Sequence, residues 1–232
     1  MRPIPLGLYA LTLLLTTSCQ SNTQKKNKDQ AVVEAVEATP KTTLAPEQLS
    51  QYEKAYFASG CFWCVEAIFE SVKGVKEVVS GYAGGEEENP TYEMVSYGQT
   101  THAEAVEVYY DPKTISFTAL VQVFFGSHDP TTLNRQGNDI GTQYRSVIFY
   151  HNEEQREKAE YYKKELDTSG IYDQPIVTEI SPYENFFEAE DYHQDYYSEN
   201  PRQPYCTFVI QPKLEKFKKV FESKLKEFDN NK

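Results

Sequence analysis

From about residue 51 onward, apolar positions along this chain alternate between two rhythms. Residues 54–59, 75–82 and 103–110 are short alternating or continuous runs of Val, Ala, Tyr and Phe, bounded by Gly, Asp and Pro, as strands are. Residues 65–72 carry helical spacing and stop at Gly74. So do residues 116–127, through Phe117, Leu120, Val121, Phe124 and Phe125, with Ser116 placed as their cap. Further along, the pattern predicts a strand over 144–150, a helix over 153–166, a short strand over 175–180 and a helical turn over 191–197. Leu214, Phe217, Val220, Phe221, Leu225 and Phe228 mark an amphipathic helix over 213–232, lysines on its other face. Loops rich in Gly, Asn and Asp fill 83–90 and 128–143. Alternating strands and helices with long irregular loops predict an α+β or α/β two-layer sandwich over residues 51–212.

The first fifty residues read differently. Arg2 precedes an apolar run over 6–15 that is too short to span a bilayer comfortably. Leu15-Thr16-Thr17-Ser18-Cys19 then resembles a bacterial lipobox, with Thr16 where Leu is usual. The expectation is a signal peptide over 1–18, a lipid on Cys19, and a polar, flexible tether over 19–50. Such a chain sits in the bacterial cell envelope, outside the cytoplasm, anchored to a membrane by its lipid.

Charge and cysteine usage narrow the function. The formal net charge is −12, with 23 Lys and Arg against 35 Asp and Glu. That excludes a nucleic-acid partner, because phosphate contacts need clustered cations. Four cysteines are too few for a disulfide scaffold. They stand in separate contexts: Cys19 in the leader, Cys61 with Cys64, and Cys206 alone.

Gly60-Cys61-Phe62-Trp63-Cys64 is the most chemically loaded stretch. A strand leads into it and a helix leads out, so Cys61 stands at a helix start, where free amides and the dipole favour a thiolate. Cys64 lies one turn on, within disulfide reach. A bare C-x-x-C is also compatible with thiol–disulfide exchange on other proteins or with half of a zinc site. No second C-x-x-C or close histidine pair accompanies it among His102, His128, His151 and His193, so a metal is not expected. An aromatic groove that merely binds peptides is a further, non-enzymatic reading.

Wider motifs decide between these. Gly81-Tyr82-Ala83-Gly84-Gly85, Asn89-Pro90-Thr91-Tyr92, His102-Ala103-Glu104-Ala105-Val106 and His128-Asp129-Pro130 follow the cysteine turn in order. Arg135-Gln136-Gly137-Asn138-Asp139, Gly141-Thr142-Gln143-Tyr144-Arg145-Ser146 and Ala189-Glu190-Asp191-Tyr192-His193-Gln194 come after them. With Gly60 to Cys64, this set resembles the A-type peptide methionine sulfoxide reductases from about Tyr56 to Leu214. The resemblance implies an α/β fold of ferredoxin-like character and reduction of the S epimer of methionine sulfoxide, free or in peptides. It also implies a thioredoxin-type reductant and no metal or organic cofactor.

The resemblance further assigns residues. Cys61 aligns with the nucleophile, and Glu104 with the acid that protonates the sulfoxide oxygen. On the predicted strand Glu104 shares a face with Val106, Val108 and Tyr110, which would desolvate its carboxyl and raise its pKa. Tyr92 and Tyr144 align with tyrosines that hydrogen-bond the oxygen, and Asp139 with a carboxylate at the polar end. Phe62 and Trp63 match the apolar wall for the substrate methyl group. Cys64 and Cys206 are the candidates to resolve a sulfenic acid on Cys61. His193 falls in a family motif at the site's polar edge.

Overall fold

The computed structural model describes residues 44–230, with side chains as far as Glu222. The leader, Cys19 and most of the expected tether lie outside the described residues, as do the side chains of Leu225 and Phe228. Regular structure begins earlier than residue 51. Pro46–Leu49 forms one helical turn, α1, with proline at its first position, and the Leu44 amide donates to Glu77 Oε2 at 3.4 Å.

The main elements follow as β1 (Glu53–Ser59), α2 (Phe62–Glu70), β2 (Val75–Ala83), α3 (Tyr92–Ser96), β3 (Ala103–Tyr110) and α4 (Phe117–Ser127). After a two-stranded hairpin, β4 (Arg135–Gln136) and β5 (Asp139–Ile140), come β6 (Ser146–Tyr150), α5 (Glu153–Thr168), β7 (Glu179–Pro182) and β8 (Phe186–Glu188). A short α6 (Tyr196–Glu199) and a π-helical turn (Cys206–Ile210) lead into α7 (Gln211–Asn230). Six strands form one sheet in the order β7-β6-β1-β3-β2-β8; β6 and β7 are parallel, and the other neighbours are antiparallel. Chain order β1-α2-β2-β3-α4-β6 is the βαββαβ pattern of ferredoxin-like folds, here extended by one strand at each edge.

Strand alternation puts the two sheet faces to different uses. Ala55, Phe57, Val106, Val108, Tyr110 and Ile148 point into the main core against α2, α4, α5 and α7. Tyr56, Ala58, Ala103, Ala105, Val147 and Phe149 form a smaller cluster on the opposite face, closed by Tyr183 and Phe186. The result is the expected two-layer α+β arrangement. Ser116 caps α4 as its position suggested, accepting from the Ala119 amide at 3.2 Å.

Several boundaries differ from the sequence expectation, for local reasons. The strand expected over 175–180 is β7, because the Ile176 amide goes to Asp167 Oδ1 (2.8 Å) and that of Val177 to the Pro130 carbonyl (2.9 Å). Pairing with β6 begins only at Glu179. Tyr144 leaves the expected strand for a 3-10 turn, Thr142–Tyr144. The turn expected over 191–197 splits into a 3-10 turn, Asp191–His193, and α6. The last helix starts at Gln211, two residues before 213.

Candidate active site

The reactive turn is built by a glycine and a helix start. Gly60 has φ +95°, and a Cβ there would lie 2.7 Å from Gln136 Cβ, so the chain turns where no larger residue fits. Cys61 follows as the N-cap of α2, and its carbonyl accepts from the Cys64 amide at 3.0 Å. The helix thus begins three residues earlier than the apolar spacing indicated. Cys61 is buried, at 7% exposure. Burial, the hydrogen bond to Cys64 and the neighbouring Glu104 push the Cys61 thiol well above its ordinary value, outweighing the helix start. Its hydrogen bond to Cys64 lowers that partner to about 7. The hydrogen bond between the two buried sulfurs thus favours the charged form on Cys64 over Cys61.

Beside them, β3 delivers Glu104. It stands opposite Tyr82 of β2 in the register, on the main-core face as the alternation required. Glu104 Oε2 accepts from the Phe62 amide at 3.0 Å, which ties the carboxyl to the first turn of α2. Burial first, then the charges of Asp139 and Cys64, raise its pKa to about 8. A carboxyl in this setting favours its protonated form near neutral pH, the form that can donate a proton.

Phenols complete the polar end. Tyr92 enters at the start of α3, where its amide donates to Glu190 Oε1 at 3.0 Å, and Tyr144 enters from the 3-10 turn. Burial and the negative field of Glu104 and Cys61 raise Tyr92 to about 12 and move Tyr144 upward as well, so both remain donors. Asp139, on β5, accepts from the Tyr205 hydroxyl at 3.1 Å.

The aromatic wall has a buried half and a half-exposed half. Phe62 is fully buried, stacked against Tyr92 with ring centres 6.2 Å apart and tilted against His193 at 5.1 Å. Trp63 is half-buried and lies flat on Tyr196, 3.7 Å between centres and 6° between planes, with Tyr205 edge-on at 5.7 Å. Its indole Nε1 donates to His193 Nδ1 at 3.2 Å. His193 is buried with its pKa lowered by desolvation, so it is a neutral ring carrying its proton on Nε2.

Cys206 is fully buried and free, as are Cys61 and Cys64, and its thiol lies within the field of Cys64. It opens the π-helical turn directly after Tyr205. The structure therefore gathers Cys61, Cys64, Glu104, Tyr92, Tyr144, Asp139, Phe62, Trp63 and Cys206 around one point. Cys19 lies outside the described residues. Sequence reasoning missed Tyr205, Tyr196 and Glu190. Glu190 carries the loop through Tyr92 and the Tyr82 hydroxyl at 2.9 Å. Tyr205 had a signal, since it precedes a noted cysteine; Tyr196 was one tyrosine among 18. Among the described residues, Glu70, Glu77 and Asp195 also bring carboxylate oxygens within 4.8 Å of one another, a cluster that includes no cysteine or histidine.

Known proteins resemble the chain across this whole region. The family model for peptide methionine sulfoxide reductase matches residues 53–225. The peptide methionine sulfoxide reductase MsrA of Nautilia profundicola is 54% identical over 167 residues, covering 72% of this chain and 95% of that protein. MsrA of Acinetobacter baumannii is 54% identical over 174 residues, 75% of this chain and 99% of its own length. Among solved structures, reduced Mxr1 from Saccharomyces cerevisiae aligns with TM-score 0.62 and 37% identity, over 66% of this chain and 88% of its own. Methionine sulfoxide reductase A of Corynebacterium diphtheriae aligns with TM-score 0.58 and 40% identity, over 65% and 76%.

Proposed function

The chain belongs to the A-type peptide methionine sulfoxide reductases, and we propose that Cys61 is the nucleophile with which it reduces the S epimer of methionine sulfoxide. The observation that carries this assignment is the Glu104 carboxyl, buried beside the Cys61 thiol and held protonated by its surroundings. A sulfoxide oxygen is a poor leaving group until it is protonated, so thiol and acid are needed at one point.

The substrate methyl group rests on Trp63 and Phe62, and its oxygen faces Glu104, Tyr92 and Tyr144. This arrangement fits one configuration at sulfur. Cys61 gives its proton to the hydrogen-bonded Cys64 sulfur and attacks the sulfoxide sulfur, while Glu104 protonates the oxygen and the two phenols steady the developing charge. The S–O bond then breaks as the proton passed to Cys64 releases the oxygen as water. A water attacks the Cys61 sulfur, the new S–S bond breaks with its electron pair going to methionine, and the proton this water sheds returns to Glu104, leaving a sulfenic acid on Cys61. The net change is thiol plus sulfoxide to sulfenic acid plus thioether.

A second thiol, Cys64 or Cys206, then attacks the sulfenic sulfur, giving a disulfide and water. A thioredoxin-like dithiol reduces that disulfide and is itself oxidised. Asp139 keeps Tyr205, and so the Cys206 segment, against the site. The lipobox-like Leu15 to Cys19 and the polar stretch after it support a lipid-anchored enzyme of the bacterial cell envelope, repairing oxidised proteins near a membrane. Globomycin-sensitive processing at Cys19 and membrane recovery of the full chain test the anchor; a soluble Cys19→Ala protein is the expected contrast. For the chemistry, the two epimers of N-acetylmethionine sulfoxide are offered separately with excess dithiothreitol. Consumption of the S epimer alone is expected, and equal consumption of both contradicts the role given to the wall.

A further inference from the structure

Glu66 lies on α2, past the thiols, and takes no part in the chemistry above. It is 1% exposed, and burial with the nearby Glu70 charge raises it to about 8. Its Oε1 accepts from the Ser80 hydroxyl (3.1 Å) and from the Asp195 amide (3.1 Å), and its Oε2 accepts from the Tyr196 amide (3.2 Å). Those two amides stand at the start of α6, whose first ring, Tyr196, lies flat on Trp63. Asp195 is left-handed there, φ 49° and ψ 28°, a conformation a non-glycine residue holds when its surroundings impose it.

The rest of this segment is fastened elsewhere. Gln194 bridges to the Ser80 amide (2.8 Å) and carbonyl (2.9 Å) and to the Ala189 carbonyl (2.8 Å), pinning it to β2. Glu66 instead connects the helix that carries Trp63 to the residue that carries the ring facing Trp63. One buried carboxyl therefore sets the distance between the two sides of an aromatic stack.

We propose that Glu66 is a positioning residue for the substrate pocket: by holding the Asp195 and Tyr196 amides it seats Tyr196 on Trp63 and so fixes the wall that receives the substrate methyl group. This rests on the reading of Trp63 as that wall. Glu66 touches neither sulfur nor oxygen of the substrate, so its loss is felt in binding more than in the chemical step.

Glu66→Gln is the sharpest test, because it keeps volume and turns one acceptor into an N–H donor facing an amide donor. KM for an S-configured methionine sulfoxide peptide is expected to rise about tenfold, the scale of one lost apolar contact in a pocket, with kcat within about twofold. Trp63 is the sole tryptophan, so intrinsic emission reads the stack directly and is expected to shift as Tyr196 lifts away. Tyr196→Leu should reproduce both changes, and the double variant should add nothing to KM beyond Tyr196→Leu alone. A folded Glu66→Gln protein with wild-type KM and emission overturns the proposal, as does an additive double variant. Should Glu66→Gln not fold, Glu66→Asp, which keeps both acceptors but withdraws them by one methylene, is read the same way. Failure of both to fold overturns the proposal too, since a group that only positions a wall is dispensable for folding. Trp63→Ala separates the two claims: unchanged KM there sinks the wall itself, whereas raised KM there with normal Glu66 variants sinks only the positioning role.

Discussion

Replacing Glu104 by glutamine removes one proton while keeping nearly every contact. The side-chain oxygen can still accept from the Phe62 amide, now at 3.0 Å, so α2 keeps its link to β3. With a pKa of about 8, the wild-type carboxyl is protonated in about nine molecules of ten at pH 7, the form a general acid needs. Loss of a positioned acid costs about 10²- to 10⁴-fold in the chemical step, and kcat for the S-configured sulfoxide is expected to fall by that much. Wild-type activity should decline as pH rises through about 8, and the variant should lack this limb. Stability falls in the same direction of pH. A carboxyl raised from 4.5 to about 8 stabilises the fold fully below pH 4.5, progressively less as pH rises, and not at all above about 8. At about 1.4 kcal/mol per pKa unit, that is a swing of about 5 kcal/mol, which glutamine does not undergo. Thermal melts at pH 5 and pH 9 should therefore show the variant gaining on wild type at the alkaline end. A variant whose kcat at pH 7 stays within threefold of wild type, or whose profile still bends near pH 8, refutes the assignment of Glu104 as the acid.

Other perturbations test neighbouring parts of the site. Asp139 contributes to raising Glu104, so Asp139→Asn should lower that pKa and move the alkaline limb of the kcat profile toward acid; an unmoved limb contradicts the coupling. After one equivalent of substrate without reductant, titration of free thiols should find a persistent sulfenic acid in the Cys64→Ser, Cys206→Ser double variant and a disulfide in wild type. Trapping of an equal amount of sulfenic acid in both proteins rules out resolution by these cysteines. Gly60→Ala places a side chain at φ +95° and 2.7 Å from Gln136, so it should lower stability by about 1–3 kcal/mol in urea melts. An unchanged midpoint would show that the turn tolerates a Cβ.

Much of this arrangement was legible in the residue pattern, and the exceptions have physical causes. β3 runs over the residues its alternation marked, and that alternation already placed Glu104 on the core face. The candidate residues that the fold brings together could be picked out because the motifs that carry them are contiguous and chemically unusual, as in two cysteines enclosing Phe62 and Trp63. What could not be read is whatever depends on pairing across the chain. β8 joins β2 through residues 186–188, and the closeness of that strand is visible at Gly81, where a Cβ would lie 2.4 Å from the Phe187 carbonyl oxygen. Tyr205, Tyr196 and Glu66 acquire meaning only when the segment over 189–206 folds back over α2, 130 residues away for the Glu66 to Tyr196 link. The helix-start argument for Cys61 was sound as local electrostatics but omitted burial, which the backbone position does not reveal.

The most direct test is a single turnover without reductant. Wild-type protein with all thiols reduced is mixed with an excess of the S-configured sulfoxide of a model peptide, and the thioether formed is quantified per chain. The wild-type protein and the Cys64→Ser, Cys206→Ser double variant should each yield at least one equivalent, and Cys61→Ser none. Thioether production by Cys61→Ser at the wild-type amount would contradict the account.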